Sequence, residues 1–332
     1  MKTAKAIMSI FIVFSILFTI FHGAENISGN SATEPSIEYK GIITMWQVDI
    51  FEGGTGSRRQ FLLEMARGFE RKNQGVLIMV TDYTKEGAEE NFAKGIYPDL
   101  ISFGCGVNVD KPGEMNVSRF TIGGTIDDKV YATPWCRGGY ILIANPKLAS
   151  KTSDVLNEVI VSQTFYTQPL TAMAEEGITA EKIRVLSPME AYVDFCAGKA
   201  AYMVGTQRDI IRLSNRGMEV ITRPLEKYND LFQYVSITSR DELKRYYAEE
   251  FAEYLVSDAV QEKLSKIGMF SPYKIVSYEN EHLSAMQYAV NCYTSSAFCS
   301  EAFYEKMRFL SLEAALGDAD AADKIKNMLL SS

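Results

Sequence analysis

The sequence has few of the residues, and none of the motifs, that common catalytic sites need. It has two histidines; His22 lies in an N-terminal apolar segment, which leaves His282 as the candidate general base. No G-x-S-x-G, H-E-x-x-H or G-x-x-x-x-G-K-[ST] motif occurs. The usual anchors of hydrolases, metalloproteases and ATPases are missing, so we expect a protein that is not an enzyme, with no catalytic residue, metal site or cofactor.

Positive charge is also scarce, since the formal net charge is −8. Phosphate binding needs a basic surface, so this balance argues against nucleic acid as a partner. The five cysteines form no C-x-x-C pair and have no zinc-like spacing. We expect free thiols, although Cys292 and Cys299 could form a disulfide; the other three are Cys105, Cys136 and Cys196.

The N-terminus is typical of an exported protein. Two lysines precede an apolar run from Ile7 to Phe21, which predicts a signal peptide over residues 1–24. The run is short for a transmembrane helix, but His22 fits a cleavage motif poorly, so an uncleaved N-terminal anchor is an alternative. Residues 25–36 predict a flexible polar tether. No cysteine follows the run to accept a lipid, and we expect an extracytoplasmic protein, at the cell surface or in the periplasm.

Glycine turns and apolar periodicity predict an alternating strand and helix pattern after the tether. In chain order the elements are a strand over 41–47, a helix over 58–73, a strand over 75–81, a helix over 86–94 and a strand over 99–103. Phe61, Met65 and Phe69 give the first helix a core-facing stripe. The β-α-β-α-β order favours an α/β fold with a parallel or mostly parallel sheet.

The second half of the chain repeats strand and helix patterns and predicts two lobes. Expected strands are 140–144, 200–204 and 232–238, and expected helices are 188–197, 240–257 and 259–267, with a wholly helical region from Glu281. The Asn145-Pro146 pair marks a boundary where we place the first crossing between lobes, and the strand over 232–238 makes the return. The predicted lobes are 37–143 with 236–280, and 144–235 with 281–332.

Several stretches together carry a family resemblance. They are Trp46 in an early strand, Ala66 to Val76, Pro98 to Ile101, Tyr131 to Trp135, Phe195 to Gly205, and Ala252 to Ser257 with Gln261, Gly268 and Pro272. Together they resemble the family 1 extracellular solute-binding proteins, the group of the maltose-binding and other sugar-binding receptors of ABC importers. Their order and spacing extend over nearly the whole mature chain.

The resemblance implies a two-lobed fold of the periplasmic-binding-protein type (class II), with hinge crossovers and a ligand held in the cleft. It implies a protein that captures a small polar solute by hinge closure and delivers it to membrane permease subunits. We expect a monomer, and a solute that is either a carbohydrate or an acidic or phosphorylated sugar-like molecule. Two alternatives remain open at this point. One is a carboxylate-dependent glycan-acting enzyme, for which Asp49 and Glu52 are close in sequence, and the other is a cell-surface adhesion protein.

Candidate ligand-binding residues are those expected at strand ends and crossings, where open α/β sheets bind ligands. They are Trp46, Asp49, Gly54, Thr55, Gly56, Ser57, Arg58, Gly104, Trp135, Arg137, Gly138, Tyr140, Thr206, Gln207, Arg208, Gln233 and Tyr234. The glycine loop at 53–58 joins a strand to a helix capped by Ser57, so its N–H groups could hold an anionic or polar group. A plain glycine turn is the alternative.

Trp46 and Asp49 could stack on and hydrogen-bond a sugar, or Trp46 could be a core residue. Arg58, Arg137 and Arg208 could together bring three guanidinium groups to one cleft, which would suit a carboxylate or phosphate. The alternative is that these arginines cover apolar surface.

Overall fold

The computed structural model describes residues 39–119, 122–149, 155–288, 293–294 and 297–330. From Tyr39 onward the chain forms one compact unit. The predicted signal peptide and tether, and Cys292, lie outside the described residues. Within those ranges, no helix combines the length and the apolar character that crossing a membrane requires.

Fourteen strands occur in the described ranges, several of them only two residues long. They are β1 (Gly41–Val48), β2 (Val76–Tyr83), β3 (Leu100–Gly104), β4 (Thr125–Ile126), β5 (Lys129–Val130), β6 (Thr133–Arg137), β7 (Tyr140–Ala144), β8 (Val155–Ser162), β9 (Thr179–Leu186), β10 (Tyr202–Thr206), β11 (Ile221–Pro224), β12 (Tyr228–Asn229), β13 (Phe232–Ile237) and β14 (Tyr293–Thr294).

Helices alternate with these strands and dominate the C-terminal part. They are α1 (Arg58–Glu70), α2 (Lys85–Ala93), α3 (Pro169–Glu175), α4 (Pro188–Cys196), α5 (Gln207–Asn215), α6 (Glu242–Val256), α7 (Asp258–Gln261), a 3-10 helix (Glu262–Ile267), α8 (Glu281–Met286), α9 (Glu301–Ala315) and α10 (Ala319–Leu330).

The first lobe is built on a five-stranded sheet in the order β2-β1-β3-β13-β6. β1 pairs in parallel with both β2 and β3, which confirms the parallel β-α-β-α-β unit, whereas β13 runs antiparallel to β3 and β6. Phe61, Met65 and Phe69 of α1 are buried as their spacing predicted. Ser57 caps α1 by accepting the Gln60 N–H at 3.3 Å, so the expected strand-to-helix turn is present.

The second lobe is built on a sheet in the order β11-β7-β10-β8-β9. Its parallel strands β10, β8 and β9 are joined by helices, and β7 runs antiparallel to β10. The helices α9 and α10 pack on α3 of this lobe. The two separate sheets confirm the two-lobed α/β fold expected from the sequence.

Three chain segments pass side by side between the sheets. The backbone leaves β6 of the first sheet at Arg137 and enters β7 of the second at Tyr140. The chain returns to β13 of the first sheet through Leu231, whose carbonyl accepts the Gly138 N–H at 2.7 Å. Arg137 and Phe270 exchange two backbone hydrogen bonds, of 2.9 and 2.8 Å, at the third segment. Short adjacent connections of this kind suit a hinge.

Some sequence-based assignments were incomplete. The strands β8 and β9 lie in a region where only helical segments were expected, and the two-residue strand β14 shows that the region after Glu281 is not wholly helical. The segments 140–144 and 232–237 fall in different sheets. The residue ranges of the two lobes remain a prediction.

Candidate functional site

A cavity lies where loops of the two lobes face each other. Its main part, about 390 Å³, is lined by Lys85, Glu89, Gly106, Val107, Asn108, Val109, Pro112, Ile126, Phe298, Cys299, Ser300 and Glu301. A smaller part, lined by Lys85, Gly106, Phe165, Tyr166, Glu301, Tyr304, Glu305 and Arg308, continues it into the second lobe. We call both parts the cleft cavity. Ligand sites occupy about 300–1,000 Å³, so its size suits a small solute.

The cleft cavity lies beyond the carboxyl ends of strands in both lobes. Residues 106–109 follow β3 of the first lobe, and Phe165 and Tyr166 follow β8 of the second. A groove of about 440 Å³ elsewhere on the second lobe includes Val155 and Tyr202, the first residues of β8 and β10. Because open α/β sheets bind ligands beyond the carboxyl ends of their strands, the cleft cavity is the stronger candidate.

Charged and aromatic side chains from both lobes meet at this cavity. Lys85, at the start of α2, is 6% exposed, and its Nζ lies 3.2 Å from Glu89 and 3.6 Å from Glu301. The Tyr166 hydroxyl donates to Glu86 across the cleft, and this bond lowers the pKa of the Glu86 carboxyl. Lys85 also lies 5.5 Å from the centre of the Tyr166 ring. The walls are therefore connected by direct polar contacts.

The loop after β8 carries buried polar groups without hydrogen-bond partners. Gln168 is 1% exposed, and neither its Oε1 nor its Nε2 has a partner among the described residues. The same holds for Gln163 Oε1. Nearby, Arg308 donates through Nη2 to the Phe165 carbonyl, while its Nε has no partner in the described part of the chain. A buried polar group that stays unpaired costs about 1–3 kcal/mol, so these atoms lower the stability of the native protein at this loop.

Asp230, next to Leu231 of the second crossing segment, is a further buried residue with an unpaired atom. The Tyr140 hydroxyl donates to Asp230 Oδ1 at 2.5 Å and accepts the Gln168 N–H at 3.0 Å. Asp230 Oδ2 receives no hydrogen bond from any described residue. Burial raises the pKa of the Asp230 carboxyl to about 7, with the nearby Arg308 charge acting in the opposite direction. We call Gln163, Gln168, Asp230 and Arg308 the polar cluster.

The predicted glycine loop instead forms a contact between the lobes. The Thr55 N–H donates to the Ile267 carbonyl at 2.9 Å, and a Cβ on Gly54 would fall 2.2 Å from the Gly268 carbonyl oxygen. Arg208 of the second lobe donates to the Gly54 carbonyl. The N–H group of Thr55 is thus occupied by protein, and only glycine allows the close approach at 54.

Arg212, one turn after Arg208, strengthens this contact. Its two terminal nitrogens bind both carboxylate oxygens of Glu52, at 3.0 and 2.8 Å. Burial raises the pKa of the adjacent Asp209 to about 6. We call the contacts of Arg208 and Arg212 with Gly54 and Glu52 the latch.

Asp49 and Arg58 form an ion pair within the first lobe. Arg58 Nε lies 2.7 Å from Asp49 Oδ1, and Gln47 donates to the same oxygen at 2.5 Å. Arg58 is 2% exposed, donates to the Phe51 carbonyl and lies 4.1 Å from the centre of the Phe51 ring. Among the described residues, Gln47 Oε1 and Arg58 Nη1 have no partner.

Asp49 and Glu52, the carboxylates that a glycan-acting enzyme would need, are therefore both in ion pairs with arginines.

Other predicted site residues pack inside the protein. Trp135 is fully buried, stacks on Phe61 at 5.6 Å and donates to Ser102 at 2.9 Å. Trp46 packs between the rings of Tyr83 and Phe92, at 4.5 and 5.4 Å. Both rings are enclosed by protein and present little surface for stacking on a sugar.

Arg137 binds backbone oxygens at the crossing segments. It donates to the carbonyls of Ser271, Gly138 and Gln287, at 3.3, 3.5 and 3.0 Å, and lies 5.4 Å from the centre of the Phe270 ring. Arg58, Arg137 and Arg208 thus bind different protein groups, and the structure does not direct all three to one cavity.

The remaining predicted residues support the crossings and strand ends. Gln207 accepts the Gly139 N–H at 3.1 Å, and a Cβ on Gly138 would fall 2.7 Å from its Oε1. Thr206 caps α5, while Gly56 packs against Ile267. Gln233 donates to the Val48 carbonyl at 3.1 Å and to Ser102 at 3.0 Å.

Three further predicted residues, Tyr140, Tyr234 and Gly104, belong to β7, β13 and β3. Tyr140 holds Asp230 of the polar cluster. The buried Tyr234 hydroxyl faces Cys105, and Gly104 ends β3 just before the cavity loop. The roles of all predicted residues in binding a ligand remain a prediction.

Sequence reasoning missed Lys85, Phe165, Tyr166, Gln168 and Arg308. The signal that could have found the loop after β8 is the β-branched apolar run Val159–Val161, which ends at Ser162 before a polar and aromatic stretch closed by Pro169. Read as a strand, that run would have placed its loop at the cleft. The described residues contain no group of three or more His, Cys, Asp or Glu side chains that could hold a metal ion.

No protein-family model and no curated protein sequence matches this chain. Solved structures do match. The GacH receptor of Streptomyces glaucescens GLA.O, solved unliganded and with acarbose, superposes with a TM-score of 0.58 at 13% identity, over 88% of this chain and 97% of that one. The chain has the fold of a two-lobed sugar-binding protein.

Two further structures agree with this fold. The sugar-binding protein MalE from Xanthomonas citri gives a TM-score of 0.58 at 13% identity, over 88% of this chain and 98% of that one. A cyclo/maltodextrin-binding protein complexed with maltotetraose gives 0.57 at 14% identity, over 89% and 98%. The fold expected from the resemblance is confirmed.

Proposed function

We propose that the protein is the extracytoplasmic solute-binding component of an ABC importer. It captures a small polar solute, of carbohydrate type, in the cleft cavity and delivers it to a membrane permease. The observation that carries this proposal is the cleft cavity itself, whose walls include Lys85 and Gly106 of the first lobe and Phe165, Tyr166 and Arg308 of the second. The fold shared with sugar-binding proteins supports the same function.

The chemistry of the cavity suits a polyhydroxylated molecule. Each sugar hydroxyl both donates and accepts a hydrogen bond, and the cavity wall offers carboxylate acceptors on Glu89, Glu301 and Glu305 and donors on Lys85 and Arg308. The rings of Phe165, Tyr166 and Tyr304 line the same space. Aromatic faces next to a few placed polar groups are typical of small-molecule sites.

Hinge closure is the proposed mechanism. Open and closed forms of such proteins differ by a few kcal/mol, and a solute that contacts both lobes shifts the population to the closed form. Cavity residues come from both lobes, since Lys85 and Gly106 belong to the first and Arg308 to the second. The closed form then presents the surface that a permease recognises.

The test is a thermal-shift screen of neutral, amine-bearing, acidic and phosphorylated sugars, followed by small-angle scattering. We expect at least one sugar to raise the melting temperature, because a ligand that binds only the native state stabilises it. The same sugar should reduce the radius of gyration and be recovered chemically intact. Conversion of the sugar would identify an enzyme instead, and stabilisation without compaction would contradict the clamp.

A further inference from the structure

An exposed apolar patch lies at the edge of the first-lobe sheet. Leu77 and Met79 of the edge strand β2 are 55% and 51% exposed, and Ile42 of β1, the register partner of Leu77, is 49% exposed. Register partners on neighbouring strands share a sheet face, as do residues two apart on one strand, so the three side chains form one contiguous patch. Exposed apolar side chains on an edge strand favour association with a partner.

Positive charge surrounds the same end of the sheet. The last turn of α1, its C-cap, the next residue and the residue before β1 carry four exposed cations: Arg67, Arg71, Lys72 and Lys40. Lys40 lies beside the turn from α1 to β2, because a Cβ on Gly75 would fall 2.9 Å from Lys40 Cγ. Glu70, the acid between the two arginines, accepts the Ile78 N–H at 2.8 Å. We call the apolar patch and these four cations the basal surface.

The basal surface is basic although the whole chain has a formal net charge of −8. The Debye length is about 8 Å at physiological ionic strength, so a charged surface that approaches the protein interacts mainly with the nearest charges. Each Lys or Arg close to an anionic bilayer contributes about fivefold in affinity. Apolar side chains beside them add to this affinity when they enter the headgroup region. The basal surface therefore has the chemistry that an anionic lipid surface binds.

The place where the chain enters the first lobe supports the same partner. The described residues begin at Tyr39, next to Lys40 and three residues before Ile42. The apolar run over 7–21 is expected to be a signal peptide or a retained anchor. Residues 22–38 could reach about 55 Å if fully extended, so a retained anchor would keep the basal surface within reach of the bilayer. Such a tether leaves the orientation of the protein open, and contact through the basal surface would set it.

We propose that the basal surface binds the anionic lipid surface of the membrane and orients the protein on it. The basal surface lies at the amino ends of β1 and β2, whereas the cleft cavity lies beyond the carboxyl ends of strands. Membrane contact at the basal surface therefore leaves the cleft accessible to solutes. This inference goes beyond the proposed function and does not depend on which solute is bound.

Vesicle co-sedimentation tests the proposal. The chain from Glu25, the predicted mature form, keeps the compact unit that begins at Tyr39. It is mixed with vesicles of phosphatidylcholine alone and with vesicles that also contain phosphatidylglycerol. We expect binding to the anionic vesicles to be tighter by roughly tenfold or more. The difference should disappear in about 1 M salt, where the Debye length falls to about 3 Å. Anionic vesicles should also slow amide hydrogen exchange in β2 but not in β11, the edge strand of the second sheet.

A pair of double variants tests the role of charge. Lys40→Gln with Lys72→Gln leaves the residues of α1 unchanged and should weaken binding to anionic vesicles by roughly tenfold or more. Arg216→Gln with Lys227→Gln is the matched control, because it removes the same charge at exposed positions after α5 and after β11. The control should bind as the wild type does. An equal loss in both double variants would show that the basal surface has no special role.

A second pair of variants tests the apolar patch. Leu77→Gln should weaken binding to anionic vesicles by about three- to tenfold, because it removes apolar area that the headgroup region would bury. Ile221→Gln is its control, since Ile221 is 51% exposed and lies on the edge strand β11 of the second sheet. The control should leave binding unchanged.

Other results would assign the basal surface to a different occupant or to none. Equal binding to neutral and anionic vesicles, or no binding to either, would refute the lipid contact. A dimer in sedimentation velocity that Leu77→Gln dissociates would assign the surface to a second copy of the chain. Vesicle binding that appears only after residues 25–38 are removed would assign it to that segment. Thermal shift with sugars, measured on the same variants, reports solute binding separately.

Discussion

The arginines of the latch bind groups of the first lobe, whereas each residue of the polar cluster keeps at least one buried atom without a partner among the described residues. Arg212 binds both oxygens of Glu52, and Arg208 binds the Gly54 carbonyl. Gln168 and Asp230, in contrast, keep buried atoms without a partner in the described part of the chain. We therefore expect changes at the latch to act on closure, and changes at the polar cluster to act on stability and solute affinity.

The largest expected effect is the opposite change in stability when each of two buried glutamines, Gln168 and Gln261, is replaced by leucine. Gln168→Leu removes unpaired atoms, so it should raise the free energy of unfolding by about 1–3 kcal/mol while lowering solute affinity at least tenfold. Gln261→Leu is the matched change, because Gln261 donates to the Trp135 and Leu255 carbonyls and accepts from Ser271. It should destabilise by about 1–3 kcal/mol or more. Urea denaturation measures the free energy of unfolding, and calorimetry measures the solute affinity. A loss of stability in Gln168→Leu would contradict the assignment of the polar cluster to the binding site.

Asp230 should make the free energy of unfolding depend on pH. Burial raises its pKa to about 7 in the native state, above the value of about 3.9 for a free aspartate. The native state therefore holds this proton more tightly than the unfolded chain. The stabilising contribution is complete below pH 4 and is lost as the pH rises towards 7, with a slope of up to about 1.4 kcal/mol per pH unit.

Asp230→Asn isolates this contribution, because Asp209, whose pKa is also raised by burial, to about 6, is present in both proteins. The groups that face Asp230 are Tyr140, Arg308, Cys105 and Tyr304. Urea denaturation between pH 4 and 8 should show the wild type losing stability relative to the variant as the pH rises. Parallel stability curves would mean that Asp230 is ionised and well solvated in the native protein.

The sequence predicted the local features of the fold better than the site. The β1 strand, the glycine turn and the α1 helix with its Ser57 cap follow from residues that are neighbours in the chain, so periodicity and turn chemistry suffice. Gly268, which is distant in sequence, packs against the glycine loop. No local pattern contains that contact, and the loop therefore looked like an anion site.

The aromatic and charged candidates show the same limit. Trp135 follows a crossing motif, but whether its ring faces a ligand or the core depends on Phe61 and Ser102, which come from other elements. Arg137 was expected in the cleft and instead binds carbonyls of the third crossing segment. Burial and partner choice are tertiary properties, so a single sequence gives the candidate residues without their surroundings.

On the latch side, Gly54→Ala should disturb the contact between the glycine loop and the third crossing segment. The new Cβ would fall 2.2 Å from the Gly268 carbonyl oxygen, and backbone atoms must move to relieve the clash. We expect a loss of about 1–3 kcal/mol in the free energy of unfolding, as for other overpacked sites. Gly53→Ala, whose Cβ would lie 3.1 Å from the Gly56 oxygen, should cost less. Equal effects of the two changes would show that the approach to Gly268 is not tight.

The smallest expected effect is that of the latch ion pair itself. Arg212 is largely shielded from solvent and Glu52 is about a third exposed, so their pairing should contribute at most about 1 kcal/mol to closure. Arg212→Ala should therefore lower solute affinity by about two- to fivefold and increase the radius of gyration of the ligand-free protein, because the closed form is less populated. Arg216→Ala removes the same charge one turn further along the chain, where the side chain is exposed, and should change neither quantity. If Arg212→Ala left the scattering curve unaltered but still weakened binding, Arg212 would act on the solute rather than on closure, and the latch would belong to the binding site after all.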